Sequence, residues 1–163
     1  MRKEMTAAKF DAVIPAPFGA LGLRVTGNAL SGISFLPRGT ATRAPSDPVA
    51  REAARQLKAY FADPRARFDL PLAPAGTDFQ RRVWRAMTRI PAGRTRRYGE
   101  LAAELGSAAR AVGQACGSNP LPVVVPCHRV VSATGIGGFA GETGGFMLDV
   151  KRWLLEHEAR AAA

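Results

Sequence analysis

The sequence predicts an α+β protein, with a small N-terminal antiparallel-sheet lobe and a helical C-terminal lobe that contains a helix-turn-helix. Three features indicate this class: short apolar segments broken by turn residues near the N-terminus, longer helical periodicities after residue 76, and a Pro/Ala/Gly-rich stretch over residues 70–76. We place the boundary in that stretch and expect lobes over residues 1–75 and 76–163. A chain of 163 residues is long enough for two small lobes.

In the N-terminal lobe, residues 10–37 predict a meander of two or three strands. Turn signals at Pro17-Phe18-Gly19 and Thr26-Gly27-Asn28 interrupt its apolar segments. Asp47 and Pro48 then supply an N-cap and a first-turn proline for a helix that extends to about residue 61. Residues 68–72 predict one more edge strand.

The C-terminal lobe begins with a capping box, Thr77 to Gln80, and an amphipathic helix that Pro91 ends. One side of this helix is apolar, and the other carries Arg81, Arg82, Arg85 and Arg89. That basic side is either a solvated face or a surface for phosphates. We expect a second helix over residues 98–105, stopped by Gly106, and a third that Ser107 caps and that runs to about residue 116. This order is the helix-turn-helix pattern.

The third helix carries mostly small side chains. Ser107, Arg110 and Gln114 share one face, and alanine, glycine and valine fill most of the remainder. Such a helix can approach another surface closely, with Arg110 projecting from it, although tight packing between helices explains small residues as well. A helix-turn-helix most often reads the major groove, but this face has few side chains suited to base edges.

Composition narrows the class of partner. Lys and Arg outnumber Asp and Glu by 23 to 13, and the net charge of +10 predicts a polyanionic partner. Two cysteines, Cys116 and Cys127, form no disulfide framework, and with only two histidines there is no recognisable zinc spacing. No segment approaches the roughly 20 apolar residues that cross a bilayer. We therefore expect a cytoplasmic monomer with reduced thiols, no metal, no other cofactor and no membrane partner.

The chemically most informative stretch is residues 119–131, NPLPVVVPCHRVV, which presents Cys127 and His128 at the end of an apolar run. Taken alone, a buried cysteine and a core histidine usually serve packing. A C-terminal helix is expected over about residues 148–159, and it places Glu158 near its apolar side, where burial and the helix dipole disfavour a carboxylate. A Cys-His-carboxylate relay is one explanation, and an exposed, frayed last turn is the other.

The segment PCHRVV resembles the active-site signature of the O6-alkylguanine-DNA alkyltransferases, also called methylated-DNA-protein-cysteine methyltransferases. The similarity extends from Thr77 to Glu158 through the blocks FQRRVW, IPAGRTRRYGELA, ARAVGQACGSNPLPVVVPCHRVV and KRWLLEHE, in the family's order. It implies DNA repair by direct, stoichiometric transfer of an alkyl group from O6 of guanine in duplex DNA to a cysteine, with O4 of thymine as a further candidate. The residues that bind zinc in some family members are missing here, which predicts a metal-free N-terminal lobe.

The resemblance also implies roles for single residues. Cys127 is the nucleophile, His128 the base that acts on it through a water, and Glu158 the acid that orients His128. Asn119 is the hinge before the active-site strand and helps to order that water, and Tyr98 meets the flipped guanine. The implied DNA-binding residues are Tyr98, Arg96, Arg97, Ser107, Gln114 and Arg110, the last as a finger that enters the base stack from the minor groove.

The implied substrate pocket includes Pro122, Val130 and Ala140. Ala140 is our choice for the backbone amide that meets O6. The sequence between residues 135 and 151 is longer than the corresponding loop in the best-known members.

Two other functions stay open at this point. One is a damage-sensing or regulatory DNA-binding protein of related shape that transfers no alkyl group. Such proteins have another residue at the position of the nucleophile, whereas Cys127 is present here. A thiol hydrolase built on Cys127, His128 and Glu158 leaves the basic helices unexplained.

Overall fold

The computed structural model describes residues 9–138 and 144–162, and the chain divides into two compact units, Met1–Ala75 and Gly76–Ala163. The first unit contains strands β1 (Ala12–Ala16), β2 (Gly19–Thr26) and β3 (Ala29–Leu36), followed by helix α1 (Pro48–Ala62). The predicted meander and helix are both present, and the α+β class is confirmed.

The meander is antiparallel in the order β1-β2-β3, because two-residue turns connect its strands. Ala12 pairs with Leu23 and Ala20 with Leu36, and the register shifts between Arg24 and Val25. The sheet contributes Leu21, Leu23 and Leu30 to the core of this unit, and α1 contributes Leu57 and Tyr60. Helix α1 begins as predicted: the Asp47 carboxylate accepts from the backbone N–H groups of Val49 (2.7 Å) and Ala50 (3.2 Å).

The predicted edge strand over residues 68–72 is wrong. Only an isolated parallel bridge joins Leu72 to Leu30. Two features prevent a longer ladder. Pro71 has no N–H to donate, and the Gln56 side chain takes both backbone groups of Asp69, donating to its carbonyl (2.9 Å) and accepting from its N–H (2.8 Å).

The second unit is mainly helical. Its elements are α2 (Asp78–Thr88), β4 (Arg96–Arg97), α3 (Tyr98–Leu105), α4 (Ala109–Gly117), a 3₁₀ helix (Cys127–Arg129), β5 (Val130–Val131) and α5 (Phe146–Ala162). The capping box is confirmed, since Thr77 and Gln80 bond each other's backbone N–H groups at 2.9 and 3.1 Å. Helix α2 stops at Thr88, before Pro91, and Trp84 Nε1 on its buried side donates to the Ala115 carbonyl of α4 at 2.8 Å.

The turn between α3 and α4 differs from prediction by one detail. Gly106 ends α3 in the left-handed conformation (φ 64°), as its position predicts. Ser107 does not cap α4: that helix begins at Ala109, with Ala108 as an N-cap that makes no side-chain cap bond. Instead, the Ser107 backbone N–H donates to the Ala102 carbonyl at 2.8 Å. Ser107 therefore closes the preceding helix.

The expectation that Cys127 and His128 lie in a strand is also wrong. Cys127 and His128 lie in the 3₁₀ helix, and the strand starts only at Val130. Prolines at positions 120, 122 and 126 withhold backbone donors from this stretch, so no ladder forms there. The short β5 pairs in parallel with β4, Arg96 with Val130 and Arg97 with Val131.

Helix α5 extends beyond the predicted residues 148–159 at both ends. No helix in the described part of the chain is long and apolar enough to cross a membrane.

Two glycines of the helix-turn-helix allow a matched stability test. An ideal Cβ at Gly106 or Gly113 meets no other heavy atom within 4 Å in the described residues, so only backbone conformation separates the two sites. Gly106→Ala should lower the free energy of unfolding by about 1 kcal/mol or more, because φ is positive there. Gly113→Ala, inside α4, should raise it by about 0.4 to 1 kcal/mol. Urea unfolding measures both, and changes of the same sign would contradict the assigned turn.

Candidate active site

Asn119 fastens the loop that carries Cys127. Its side-chain Nδ2 donates to the Val125 carbonyl at 2.8 Å, and its Oδ1 accepts from the Leu121 N–H at 2.9 Å. The loop between them contains Val123 at φ 75°, a conformation that costs a β-branched residue about 1 to 3 kcal/mol. The Cys127 N–H then donates to the Val125 carbonyl at 2.8 Å. Asn119 therefore holds a strained loop that fixes the backbone of the candidate nucleophile.

His128 and Glu158 form a buried pair. His128 Nε2 lies 2.7 Å from Glu158 Oε2, and the two side chains are 0% and 2% exposed. The same carboxylate binds the Arg129 guanidinium through Nε (2.8 Å) and Nη2 (2.9 Å). Burial alone would raise the pKa of Glu158, but the hydrogen bonds and charges of His128 and Arg129 hold that pKa well below its usual range. The alternative of an exposed, frayed last turn is wrong, because Glu158 is buried in α5.

Burial keeps the Cys127 thiol and the His128 imidazole neutral before the reaction. It raises the pKa of the Cys127 thiol to about 11, although the Asn119 side chain and the Lys151 charge act in the opposite direction. Burial also lowers the pKa of His128, against the influence of Glu158. His128 Nδ1 is buried and makes no hydrogen bond to the described residues. One imidazole nitrogen is thus oriented by Glu158, and the other is available as an acceptor.

Lys151 is a buried cation near Cys127 and His128. Its Nζ donates to the carbonyls of Val130 and Gly138, both at 2.8 Å, and lies 5.8 Å from the centroid of the Tyr98 ring. Burial lowers the pKa of Lys151 to about 8, and the two cysteines act against that shift. The Tyr98 hydroxyl donates to the Gly138 carbonyl at 3.3 Å. Burial and the neighbouring thiols raise the pKa of Tyr98 to about 12, so its phenol keeps its proton near neutral pH.

Tyr98 reaches this region because it follows β4 directly, and β4 pairs with the strand after His128. Val130 and Pro122 are buried in the same unit. Ala140 lies outside the described residues. Cys116 is buried on α4 with its Sγ 3.4 Å from Met87 Sδ, and burial raises the pKa of Cys116 to about 12.

The candidate DNA contacts lie on β4, at the first residue of α3, in the turn that follows α3 and on α4. Ser107, Arg110 and Gln114 are exposed, as is Arg97. Arg96 is half-buried and pairs with Glu104 at 3.0 Å. Helix α4 places Val112, Ala115 and Cys116 on its buried side, so the small residues serve packing there while Arg110 and Gln114 project outward.

Sequence reasoning missed two residues of the site, Lys151 and Arg129. A signal existed for Lys151, since Lys151, Leu154 and Glu158 are spaced i, i+3 and i+7 and therefore share one face of α5. For Arg129 the sequence gives no such signal beyond its position next to His128. Its bonds to Glu158 and to the Ile90 carbonyl connect segments that lie far apart in the sequence.

Replacing Asn119 should affect both stability and the thiol. Asn119→Ala should lower the free energy of unfolding by about 2 kcal/mol through two lost hydrogen bonds. It should also raise the pKa of Cys127 further, so iodoacetamide should alkylate Cys127 more slowly at a given pH. Fragment-ion mass spectrometry follows the reaction, because Cys116 and Cys127 fall in one tryptic peptide.

Ser118→Ala is the matched control. Ser118 is exposed, and its hydroxyl donates to the Gln114 carbonyl of its own helix turn at 3.0 Å, so this change should stay within about 0.5 kcal/mol. If Asn119→Ala left the pH profile of Cys127 alkylation unchanged, Asn119 would have no influence on the thiol.

Comparisons with known proteins identify the family of this chain. Residues 78–160 match the model of the family described as 6-O-methylguanine DNA methyltransferase, DNA binding domain. The chain is 45% identical over 158 residues to a methylated-DNA–protein-cysteine methyltransferase of Mycobacterium tuberculosis, covering 91% of this chain and 92% of that one. It is 41% identical over 157 residues to the Methanosarcina acetivorans protein of that name, covering 91% and 97%.

Solved structures give the same result. The crystal structure of the Mycobacterium tuberculosis O6-methylguanine methyltransferase is similar at a TM-score of 0.78, with 42% identity and 93% of each chain covered. A crystal structure of the protein from that organism in complex with DNA is similar at 0.76, with 42% identity and 91% of each chain covered. The predicted family is confirmed: the chain belongs to the methylated-DNA–protein-cysteine methyltransferases.

Proposed function

We propose that this protein repairs alkylated DNA by transferring the alkyl group from O6 of guanine in duplex DNA to the sulfur of Cys127. The observation that carries the proposal is the buried thiol next to a histidine whose imidazole Glu158 orients at 2.7 Å. Family membership supports it. The same chemistry at O4 of thymine is a further substrate of this proposal, and each chain acts alone on one flipped base.

The reaction is a displacement at a saturated carbon, which favours a soft nucleophile such as sulfur. A bond forms between Cys127 Sγ and the alkyl carbon while the bond from that carbon to O6 breaks. The electron pair of the broken bond goes to the guanine. The thiol must lose its proton during this step, because its raised pKa keeps it protonated at neutral pH.

His128 is the base in this proposal. Its Nε2 is committed to Glu158, so Nδ1 is the nitrogen that accepts the thiol proton, relayed by a water as the family resemblance implies. Glu158 then stabilises the imidazolium that forms. Burial of both side chains strengthens this interaction, because little solvent screens it.

The departing guanine gains negative charge and needs a proton or a hydrogen bond. The Tyr98 phenol, protonated near neutral pH, is the donor in this proposal. Lys151 lies 5.8 Å from the Tyr98 ring and adds a positive charge on the same side of the site. Both groups bond the Gly138 carbonyl, which places them at the same loop.

Duplex DNA hides O6 within the base stack, so the damaged nucleotide must be flipped out at a cost of a few kcal/mol. The exposed Arg110 on the nearly bare α4 is the finger that fills the vacated space. Arg97, Ser107 and Gln114 are exposed for backbone contacts, and Arg96 flanks them. The net charge of +10 favours a polyanion, and the similar protein crystallised with DNA supports DNA as the partner.

The direct test is methyl transfer from a duplex that contains O6-methylguanine. Repaired DNA should reach a plateau at no more than one equivalent per chain, since a thioether on Cys127 has no route to regeneration in this proposal. Fragment-ion mass spectrometry should place the methyl group on Cys127 within the tryptic peptide over residues 111–129. Continued turnover would favour the hydrolase alternative.

The two thiols provide the control. Cys116→Ser should keep transfer, because Cys116 packs against Met87 and its pKa is raised to about 12. Cys127→Ser should lose transfer and retain DNA binding. A Cys127→Ser protein that still removes the methyl group would refute the assigned nucleophile.

A second prediction separates base flipping from chemistry. Arg110→Ala should slow repair of the methylated duplex about tenfold to a hundredfold, because the finger stabilises the flipped state by about 1 to 3 kcal/mol. The reaction with free O6-benzylguanine, which needs no flipping, should be nearly unchanged. The control is Arg152→Ala, an exposed arginine of α5 that pairs with Asp149. Equal losses of Arg110→Ala on both substrates would exclude the finger role.

A further inference from the structure

We propose that Arg129 is a positioning residue for the transfer reaction: its guanidinium keeps Glu158 ionised and fixed, which leaves His128 neutral and oriented to receive the thiol proton. This inference rests on the proposed function, since it assigns a further role within the same relay. Arg129 acts through Glu158 and does not touch the reacting atoms in this proposal.

The geometry is a fork against a carboxylate. Arg129 Nε binds Glu158 Oε1 at 2.8 Å and Nη2 binds Oε2 at 2.9 Å, so both oxygens are engaged. Oε2 also accepts from His128 at 2.7 Å. The carboxylate therefore has no freedom to rotate without breaking a charged hydrogen bond, and the imidazole plane is set by a fixed acceptor.

The other end of the guanidinium is anchored as well. Arg129 Nη1 donates to the Ile90 carbonyl at 2.5 Å, just after the end of α2. The Arg129 side chain is 12% exposed, so these bonds are largely shielded from water. A lysine has one nitrogen and cannot span two carboxylate oxygens and a carbonyl in this way, which explains why an arginine suits the position.

The positive charge that compensates Glu158 must reside on a group other than His128. A buried carboxylate needs a positive partner. If His128 were that partner, it would rest as an imidazolium and could not accept a proton from Cys127. Arginine stays charged without taking a proton that the reaction needs. Arg129 therefore balances Glu158, while burial and the nearby positive charges lower the pKa of His128.

The other groups that face the relay do not replace Arg129. They are Lys151 on α5, Cys127 beside His128, Cys116 on α4 and Tyr98 at the start of α3. Lys151 donates to the Val130 and Gly138 carbonyls, and burial lowers its pKa to about 8, so its charge is partly lost just above neutral pH. The two thiols and the phenol are neutral at that pH. Arg129, in contrast, stays charged at every pH of interest and bonds both oxygens of Glu158.

The test is a titration of His128 by NMR in the parent, Arg129→Lys and Arg129→Gln. The chain has only two histidines, and His157→Gln identifies the second signal. We expect the His128 midpoint to move to higher pH in Arg129→Gln, with Arg129→Lys between it and the parent. Single-turnover methyl transfer should lose rate most at low pH, and the acidic limb should shift with the titration midpoint. Arg152→Gln, an exposed arginine paired with Asp149, should match the parent.

The outcomes separate this inference from the proposed function. Coincident His128 midpoints in the parent and Arg129→Gln would overturn the role of Arg129, even if transfer slowed at every pH, because a merely structural loss moves no midpoint. If Arg129→Gln does not fold, Arg129→Lys decides, and a midpoint equal to that of the parent would overturn the role. A parent protein that transfers no methyl group to Cys127 would refute the proposed function whatever the midpoints show.

Discussion

The interaction on which the second unit depends is the bonding of one buried carboxylate, Glu158. An ionised carboxylate removed from water costs several kcal/mol unless charged donors replace the lost hydration. Here His128 and the Arg129 fork supply three short contacts between 2.7 and 2.9 Å. These contacts tie α5 to the 3₁₀ helix, and Arg129 continues to the backbone after α2. One ion thus joins three segments and orients the candidate base.

A second constraint acts on the nucleophile. Burial disfavours the thiolate form of Cys127, and the loop before it contains a valine with positive φ, which is a strained backbone conformation. Asn119 acts against both effects, because it bonds the two ends of the loop and opposes part of the rise that burial causes in the pKa of the thiol. The site is therefore held by polar side chains that each serve folding and reactivity. Strain of this kind persists only where the surrounding structure determines the conformation.

Local signals predicted the parts of the fold that local physics determines. The capping box at Thr77, the Asp47 cap and the stop at Gly106 each depend on residues within four positions, and all three are present. The Cys-His pair was found because its two residues are adjacent, and Glu158 because a carboxylate on an apolar helix face requires a partner. Turn signals and helical periodicities predicted the fold class, and the family blocks predicted the family; the structure and the comparisons confirmed both.

The errors arose where other groups, some local and some distant in the sequence, take the backbone hydrogen bonds of a predicted element. The edge strand failed because Gln56 captures Asp69, thirteen residues away. Ser107 was predicted as a cap, but its N–H closes the preceding helix instead. Arg129 and Lys151 were missed because their partners, such as the Ile90 and Gly138 carbonyls, are set by tertiary packing and not by spacing.

The stabilising role of the Glu158 carboxylate is measured most directly by the free energy of unfolding of the parent and Glu158→Gln between pH 3 and pH 8. The pKa of Glu158 lies below its unfolded value of about 4.3, so its stabilisation is fully present above that pH and is lost as the pH falls through the folded pKa. We predict that Glu158→Gln is less stable by about 3 to 5 kcal/mol at pH 7, and that the difference shrinks below about pH 4. A difference near zero, or one that does not change with pH, would show that the ionised Glu158 carboxylate does not hold this unit together.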